Sequence, residues 1–221
     1  MIITFSGLDG AGKSTQIDRL VKRFEGDKIQ VKVLWARGGY TPLFENLKKA
    51  LRKITWRALP SSGHSELRKK QLSNPVIQKT WLIIAIIDLI FFWGIYARVL
   101  SKLGYIVICD RYLQDTLLDF RQNFPSRRID ANIFWNLLEL FTPKPNNAFL
   151  LWVPVELALE RSIEKKEPFP EDKDVLEWRL ASYMDEELFP SSEYLRIDGR
   201  MAIDEISDMI YKKIQTKLKK E

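Results

Sequence analysis

The stretch that most constrains this chain is its start, residues 1–15, MIITFSGLDGAGKST. Ile2, Ile3 and Phe5 are β-favouring, and Gly7-Leu8-Asp9-Gly10-Ala11-Gly12-Lys13-Ser14 satisfies G-x-x-x-x-G-K-[ST] at every position. Ile17, Leu20, Val21 and Phe24 then recur at helical spacing. A strand, a glycine-rich turn and a helix in that order make a phosphate-binding loop. Glycines let backbone N–H groups approach phosphate oxygens, and the helix N-terminus adds partial positive charge. In such a loop Lys13 reaches the β- and γ-phosphates and the Ser14 hydroxyl ligates Mg²⁺.

The rest of the chain repeats the strand–helix alternation. Five strands are expected, at 2–6, 30–36, 105–109, 148–153 and 194–197. Helices are expected from Thr41-Pro42 to about 55, over 76–103, 113–122, 130–141, after Pro154, over 172–188, and at the C-terminus on the stripe Ile203, Ile206, Ile210, Ile214 and Leu218. This alternation predicts an α/β fold: a five-stranded parallel sheet with helices on both faces, in a single domain over 1–221. Ligands bind beyond the carboxyl ends of such strands, so the phosphate loop, Arg37, Asp110-Arg111 and Asp198-Gly199 should converge on one face.

Composition narrows the setting. Net charge is +6, but the basic residues are spread along the chain, and the phosphate loop already accounts for an anion; nucleic acid is not expected as a partner. The cluster Arg68-Lys69-Lys70 reads as a solvated face, with a phosphate or lipid contact as the alternative. The lone His64 cannot build a histidine metal site, and one cysteine, Cys109, fits a reducing cytoplasm, as does the lack of a signal-like start. Trp81–Trp93 holds twelve apolar residues and Asp88. A membrane span competes with a core helix there. Asp88 would cost about 2.5–3.5 kcal/mol in a bilayer, and the run is shorter than the ~20 residues a span needs, which favours a core helix. A helix apolar on most sides needs burial on most sides, so a homodimer through the 76–103 helix is expected.

GLDGAGKST at Gly7–Thr15, KLGYIVICDRY at Lys102–Tyr112 and VPVELALERSIEKK at Val153–Lys166 together resemble a thymidylate kinase, among the phosphate-loop nucleoside monophosphate kinases. Asp174, Glu177, Tyr183 and the RIDG run at Arg196–Gly199 are weaker matches. The resemblance implies ATP as donor, Mg²⁺, and in-line transfer of the γ-phosphoryl group to an acceptor phosphate, dTMP first among acceptors. It implies donor binding by Gly7, Asp9, Gly10, Ala11, Gly12, Lys13, Ser14 and Thr15, and metal binding by Ser14 and Asp110. Asp9 would orient the acceptor, and Arg111 and Arg37 would neutralise its phosphate. A lid is expected at about 161–173, with Arg161, Lys165 and Lys166 as its cations; since Gly10 stands where some relatives carry an arginine, Arg161 is expected to be catalytic, with Asp9, Lys13, Asp110 and Arg111.

The departures lie on the acceptor side. Ile87-Asp88-Leu89 falls where the family has Ala-Asp-Arg, and Asp115, Asp119 and Phe120 stand where the family has a serine and an aromatic–polar pair. The acceptor set is therefore Asp9, Arg37, Asp88, Arg111, Tyr112, Asp115 and Asp119. Two alternatives stay open: a kinase of the same fold with a sugar or lipid-linked acceptor, for which aspartates are good hydroxyl partners, and a nucleotide-binding protein without turnover.

Overall fold

A computed structural model describes residues 1–36, 41, 74–165 and 171–218. Arg37, Arg68–Lys70, Lys166, the tip of the expected lid and most of the helix expected from Thr41 lie outside these residues. The elements run β1 (Ile2–Ser6), α1 (Lys13–Gly26), β2 (Val31–Trp35), α2 (Pro75–Leu89), a π-helical segment (Ile90–Ala97), α3 (Arg98–Lys102), β3 (Ile106–Asp110), α4 (Leu113–Asn123), α5 (Ile133–Phe141), β4 (Asn147–Trp152), α6 (Val155–Glu164), α7 (Lys173–Met184), β5 (Tyr194–Asp198) and α8 (Ile203–Leu218). The chain divides into two compact units: Met1–Trp35 with Val99–Leu118 and Lys144–Glu221, and Ala36–Arg98 with Asp119–Pro143.

The first unit holds the sheet, in the order β2-β3-β1-β4-β5, every neighbouring pair parallel. The central strands IITFS, IVICD and NAFLLW are nearly wholly buried, which is why they read as unbroken apolar runs rather than alternating ones. Edge strand β2 exposes Lys32, Val33 and Trp35. The register Phe5↔Asp110 and Trp152↔Asp198 brings the carboxyl ends level, so the turns that follow β1, β3, β4 and β5 open at one edge. The connection leaving β1 runs toward one side of the sheet and that leaving β3 toward the other, the reversal at which doubly wound sheets bind ligands. Ile17, Leu20 and Phe24 of α1 and Ile206, Ile210 and Ile214 of α8 enter the same core as Ile3, Phe5, Phe149 and Leu151.

The second unit is helical. Asn74 caps α2, its Oδ1 accepting from the Val76 N–H at 2.9 Å, with Pro75 in the first turn. Trp81 packs on Phe120 and Phe124 with ring centroids 6.3 and 5.5 Å apart, and Phe120 on Trp135 at 6.1 Å. Pro75–Lys102 forms 28 residues of helix, long and apolar enough by composition to cross a membrane. Trp81, Leu82, Ala85, Ile86, Leu89, Trp93 and Ala97 are nevertheless buried within the protein, while Ile87, Phe91 and Ile95 form an exposed stripe.

The helix expected to reach 188 stops at Met184. Asp185 turns extended (ψ 123°), and its Oδ1 accepts from the Glu187 N–H at 2.8 Å, an aspartate turn that competes with a further helical turn.

Candidate active site

The phosphate loop joins β1 to α1 and is held close to β4. Gly7 has φ +130°, and a Cβ placed there would lie 1.9 Å from the Leu151 carbonyl oxygen, so only glycine lets the loop leave the sheet on this path. Gly12, at φ +95°, precedes α1 without a side-chain cap, and a Cβ on it would meet nothing within 4 Å. The first N–H groups of α1 thus face open space, the arrangement that takes an anion. Lys13 is buried, and its Nζ donates to the Gly7 and Leu8 carbonyls at 2.8 and 2.7 Å, with Asp9 3.7 Å away. Burial lowers its pKa, helped by the like charge of Arg111 and opposed by Asp9 and Asp110.

Two cavities flank the loop. The smaller, about 90 Å³, is lined by Asp9, Gly10, Gly12, Lys13, Ser14, Trp35, Asp110, Arg111 and Lys165. The larger, about 230 Å³, is lined by Gly10, Ala11, Gly12, Thr15, Gln16, Arg161, Lys165, Gly199 and Met201, among others. Loop and helix N-terminus are shared by both, as a chain of phosphates passing from one to the other requires.

At the end of β3, Asp110 and Arg111 point to different tasks. Asp110 Oδ1 is buried and has no hydrogen-bond partner among the described residues. Burial raises the pKa of Asp110, and Lys13 and Arg111 counter that shift. No cluster of three or more histidine, cysteine or acidic side chains suited to a metal occurs among the described residues. An orphaned carboxylate oxygen and the Ser14 hydroxyl on one small cavity do fit Mg²⁺, which takes few protein oxygens and keeps the rest for water and phosphate.

Arg111 sits at φ +71°, a left-handed conformation rare for a side chain of this size. Its N–H donates to Phe5 O at 2.8 Å, and its guanidinium donates to Asp9 Oδ1 at 2.5 Å and Tyr183 Oη at 3.2 Å. Tyr183 in turn donates to Asp115 Oδ1 at 2.8 Å, while Asp115 Oδ2 accepts from Ser6 Oγ at 2.6 Å and from the Tyr112 N–H at 3.0 Å.

This geometry sorts the residues singled out in the sequence. Asp9, Lys13, Ser14, Asp110, Arg111 and Lys165 meet on the small cavity. Asp115 lies 1% exposed with both oxygens engaged inside the protein, so it is not offered to a ligand. Arg161 lies on the larger cavity and donates to the carbonyls of Gly10 (3.0 Å) and Gly199 (3.2 Å), joining the phosphate loop to the turn after β5. Asp88 and Asp119 belong to the second unit, where buried Asp88 accepts from the Thr41 hydroxyl. Tyr112 is buried. Cys109 is buried too, its thiol pKa pushed up by burial, so it is no nucleophile. Trp35, Gln16, Ser6 and Tyr183 escaped the sequence reading. Only Tyr183 carried any signal, as a weak match in its helix.

A five-stranded parallel sheet with a phosphate loop after its central strand, and Asp-Arg after the neighbouring strand, defines a phosphate-loop phosphotransferase. A solved structure of deoxyadenosine kinase from M. mycoides shares the fold, with a TM-score of 0.60 and 16% identity over 98% of this chain and all of that one. The family model for thymidylate kinase matches residues 65–210. The probable thymidylate kinase of Methanocaldococcus jannaschii is 28% identical over 95% of this chain and 93% of its own length. The thymidylate kinase of Chlorobium limicola is 29% identical over 99% of this chain and 94% of its own. The chain belongs to the thymidylate kinase family, and with it to the ATP-dependent nucleoside monophosphate kinases.

Proposed function

We propose that the chain transfers the γ-phosphoryl group of ATP to dTMP, giving dTDP and ADP. The observation that carries this reading is the placement of Asp9 and Arg111 on one small cavity with Lys13, Ser14 and Asp110. Phosphoryl transfer between two anions is run by positioning and charge neutralisation. The larger cavity suits the nucleoside of ATP, with its phosphates along the loop N–H groups and Lys13. Lys13, which donates to two loop carbonyls, exchanges those partners for phosphate oxygens. Ser14 and Asp110 would hold Mg²⁺, which supplies charge neutralisation between the donor phosphates. Arg111 exchanges Asp9 for the acceptor phosphate, and Asp9 is then free to orient the acceptor.

Among the described lid residues Lys165 is the cation that lines both cavities, along the path of transfer, while Arg161 braces the donor side. The rival reading of a sugar or lipid-linked acceptor loses the support of Asp115, whose oxygens are already taken. We further assign the protein to the cytoplasm, as a homodimer through the stripe Ile87, Phe91 and Ile95. ADP release with Mg²⁺-ATP and a panel of nucleoside monophosphates tests the activity. Saturable release with dTMP is expected, and no release with any member of the panel refutes the reading.

A further inference from the structure

We propose that Asp115 and Tyr183 are positioning residues that hold the Arg111 guanidinium aimed into the transfer cavity, so that the aspartate standing where the family has a serine serves the acceptor site without touching the acceptor. The inference rests on the phosphotransfer reading for what Arg111 does, but not for how Arg111 is held.

Arg111 faces two opposed demands. Its backbone is left-handed, a conformation that persists only where the surroundings over-determine it. Its side chain is long and, unpinned, would spread over several rotamers at a cost to any acceptor that needs it in one place. The structure answers with a chain of directed hydrogen bonds. The guanidinium donates to Tyr183 Oη at 3.2 Å, Tyr183 donates to Asp115 Oδ1 at 2.8 Å, and Asp115 is fixed on its other oxygen by Ser6 Oγ at 2.6 Å and the Tyr112 N–H at 3.0 Å. The partners come from the end of β1, the start of α4 and the last turn of α7. The Asp115 carboxylate also stands 4.0 Å from the guanidinium, adding an attraction that serine could not supply. Burial keeps the chain rigid: Asp115 and Tyr183 are each 1% exposed, and the Tyr183 ring packs on Phe189 at 5.0 Å.

Each member has a reason to be what it is. Tyrosine accepts from the arginine while donating to the aspartate, which neither phenylalanine nor a second carboxylate does. Aspartate is acceptor-only when ionised and takes all three donors aimed at it. When Arg111 leaves Asp9 for an acceptor phosphate, the contact with Tyr183 remains, so the exchange turns one end of the guanidinium rather than releasing the side chain.

The test is Tyr183→Phe, which keeps the ring and removes the hydroxyl. Hydrogen exchange at the Arg111 Nη1–H group that faces Tyr183, assigned by the loss of its NMR signal in Arg111→Lys, should quicken about tenfold, the effect of losing one hydrogen bond to a charged donor. With dTMP as acceptor, KM should rise by about tenfold with kcat held within about threefold, and the change should vanish when made on top of Arg111→Lys. A purely structural tyrosine would lower the melting temperature and leave Arg111 exchange alone; unchanged exchange overturns the proposal. Asp115→Asn should move exchange in the same direction, and because it changes a buried charge, Tyr183→Phe remains the deciding variant if it fails to fold. Should the wild type act on no monophosphate, the activity reading falls while the exchange measurement still decides this one.

Discussion

Gly7→Ala and Gly12→Ala look alike in the motif and should behave oppositely. At Gly7, φ +130° lies outside the regions that side-chain-bearing residues adopt, which costs about 1–3 kcal/mol. The new methyl would also stand 1.9 Å from the Leu151 carbonyl oxygen and 3.0 Å from its carbon, both backbone atoms of central strand β4. That strand pairs on both sides and cannot step back, so overpacking adds roughly 1–3 kcal/mol. Together these remove about 2–6 kcal/mol from a protein whose total stability is about 5–15 kcal/mol. At about 2–4 °C per kcal/mol for this size, the melting temperature should fall by about 10 °C. Gly12→Ala meets no atom within 4 Å and carries only the strain of φ +95°. Its methyl, however, enters the space both cavities share, so it should melt within a few degrees of wild type and lose most of the stabilisation that Mg²⁺-ATP confers. Thermal melts of the two variants with and without Mg²⁺-ATP read both effects. A Gly7→Ala protein that melts within 2 °C of wild type would refute the packing argument.

Lys13→Ala should abolish ADP formation with every acceptor while the protein stays folded, as circular dichroism would report, because it removes the loop's own cation from the small cavity. Asp110→Asn should lose Mg²⁺-dependent turnover yet gain stability at neutral pH. The raised pKa of Asp110 means that the folded state holds the proton more tightly than the unfolded state does. Wild-type stability therefore falls as pH rises from 3.8 through the folded value, and the advantage of the asparagine should shrink as melts are taken from pH 7 toward pH 4. Arg161→Ala should raise KM for ATP about tenfold through the loss of its two carbonyl contacts and change kcat little; a thousandfold loss of kcat would return Arg161 to the transition state.

How far the sequence could be read depended on how local each cause was. All five strands fall within about a residue of their expected bounds, because buried parallel strands are short apolar runs closed by turns. The convergence of Lys13, Ser14, Asp110 and Arg111 on one cavity was legible because the phosphate loop and the Asp-Arg pair are contiguous strings, each bound to the end of a strand. Tyr183 was not, since it meets Arg111 across 72 residues and Asp115 across 68, and nothing in its own helix marks it for that contact. Asp115 shows a related limit: it stands at the head of a helix close to Arg111, and nothing local signals that it is buried with three donors from within the protein. Arg161 was expected at the transfer site from the resemblance, as a lid arginine answering Gly10, and only the carbonyls of Gly10 and Gly199 reveal that its fork is engaged on backbone.

On the proposed reading, one small cavity joins the donor residues Lys13, Ser14 and Asp110 to the acceptor pair Asp9 and Arg111. Initial rates of ADP release from Mg²⁺-ATP, with dTMP varied and dTDP followed as product, test it most directly. Saturable, stoichiometric formation of ADP and dTDP that disappears in Lys13→Ala is expected. ADP release that is independent of any nucleoside monophosphate, or none at all from a folded protein that binds ATP, would contradict it.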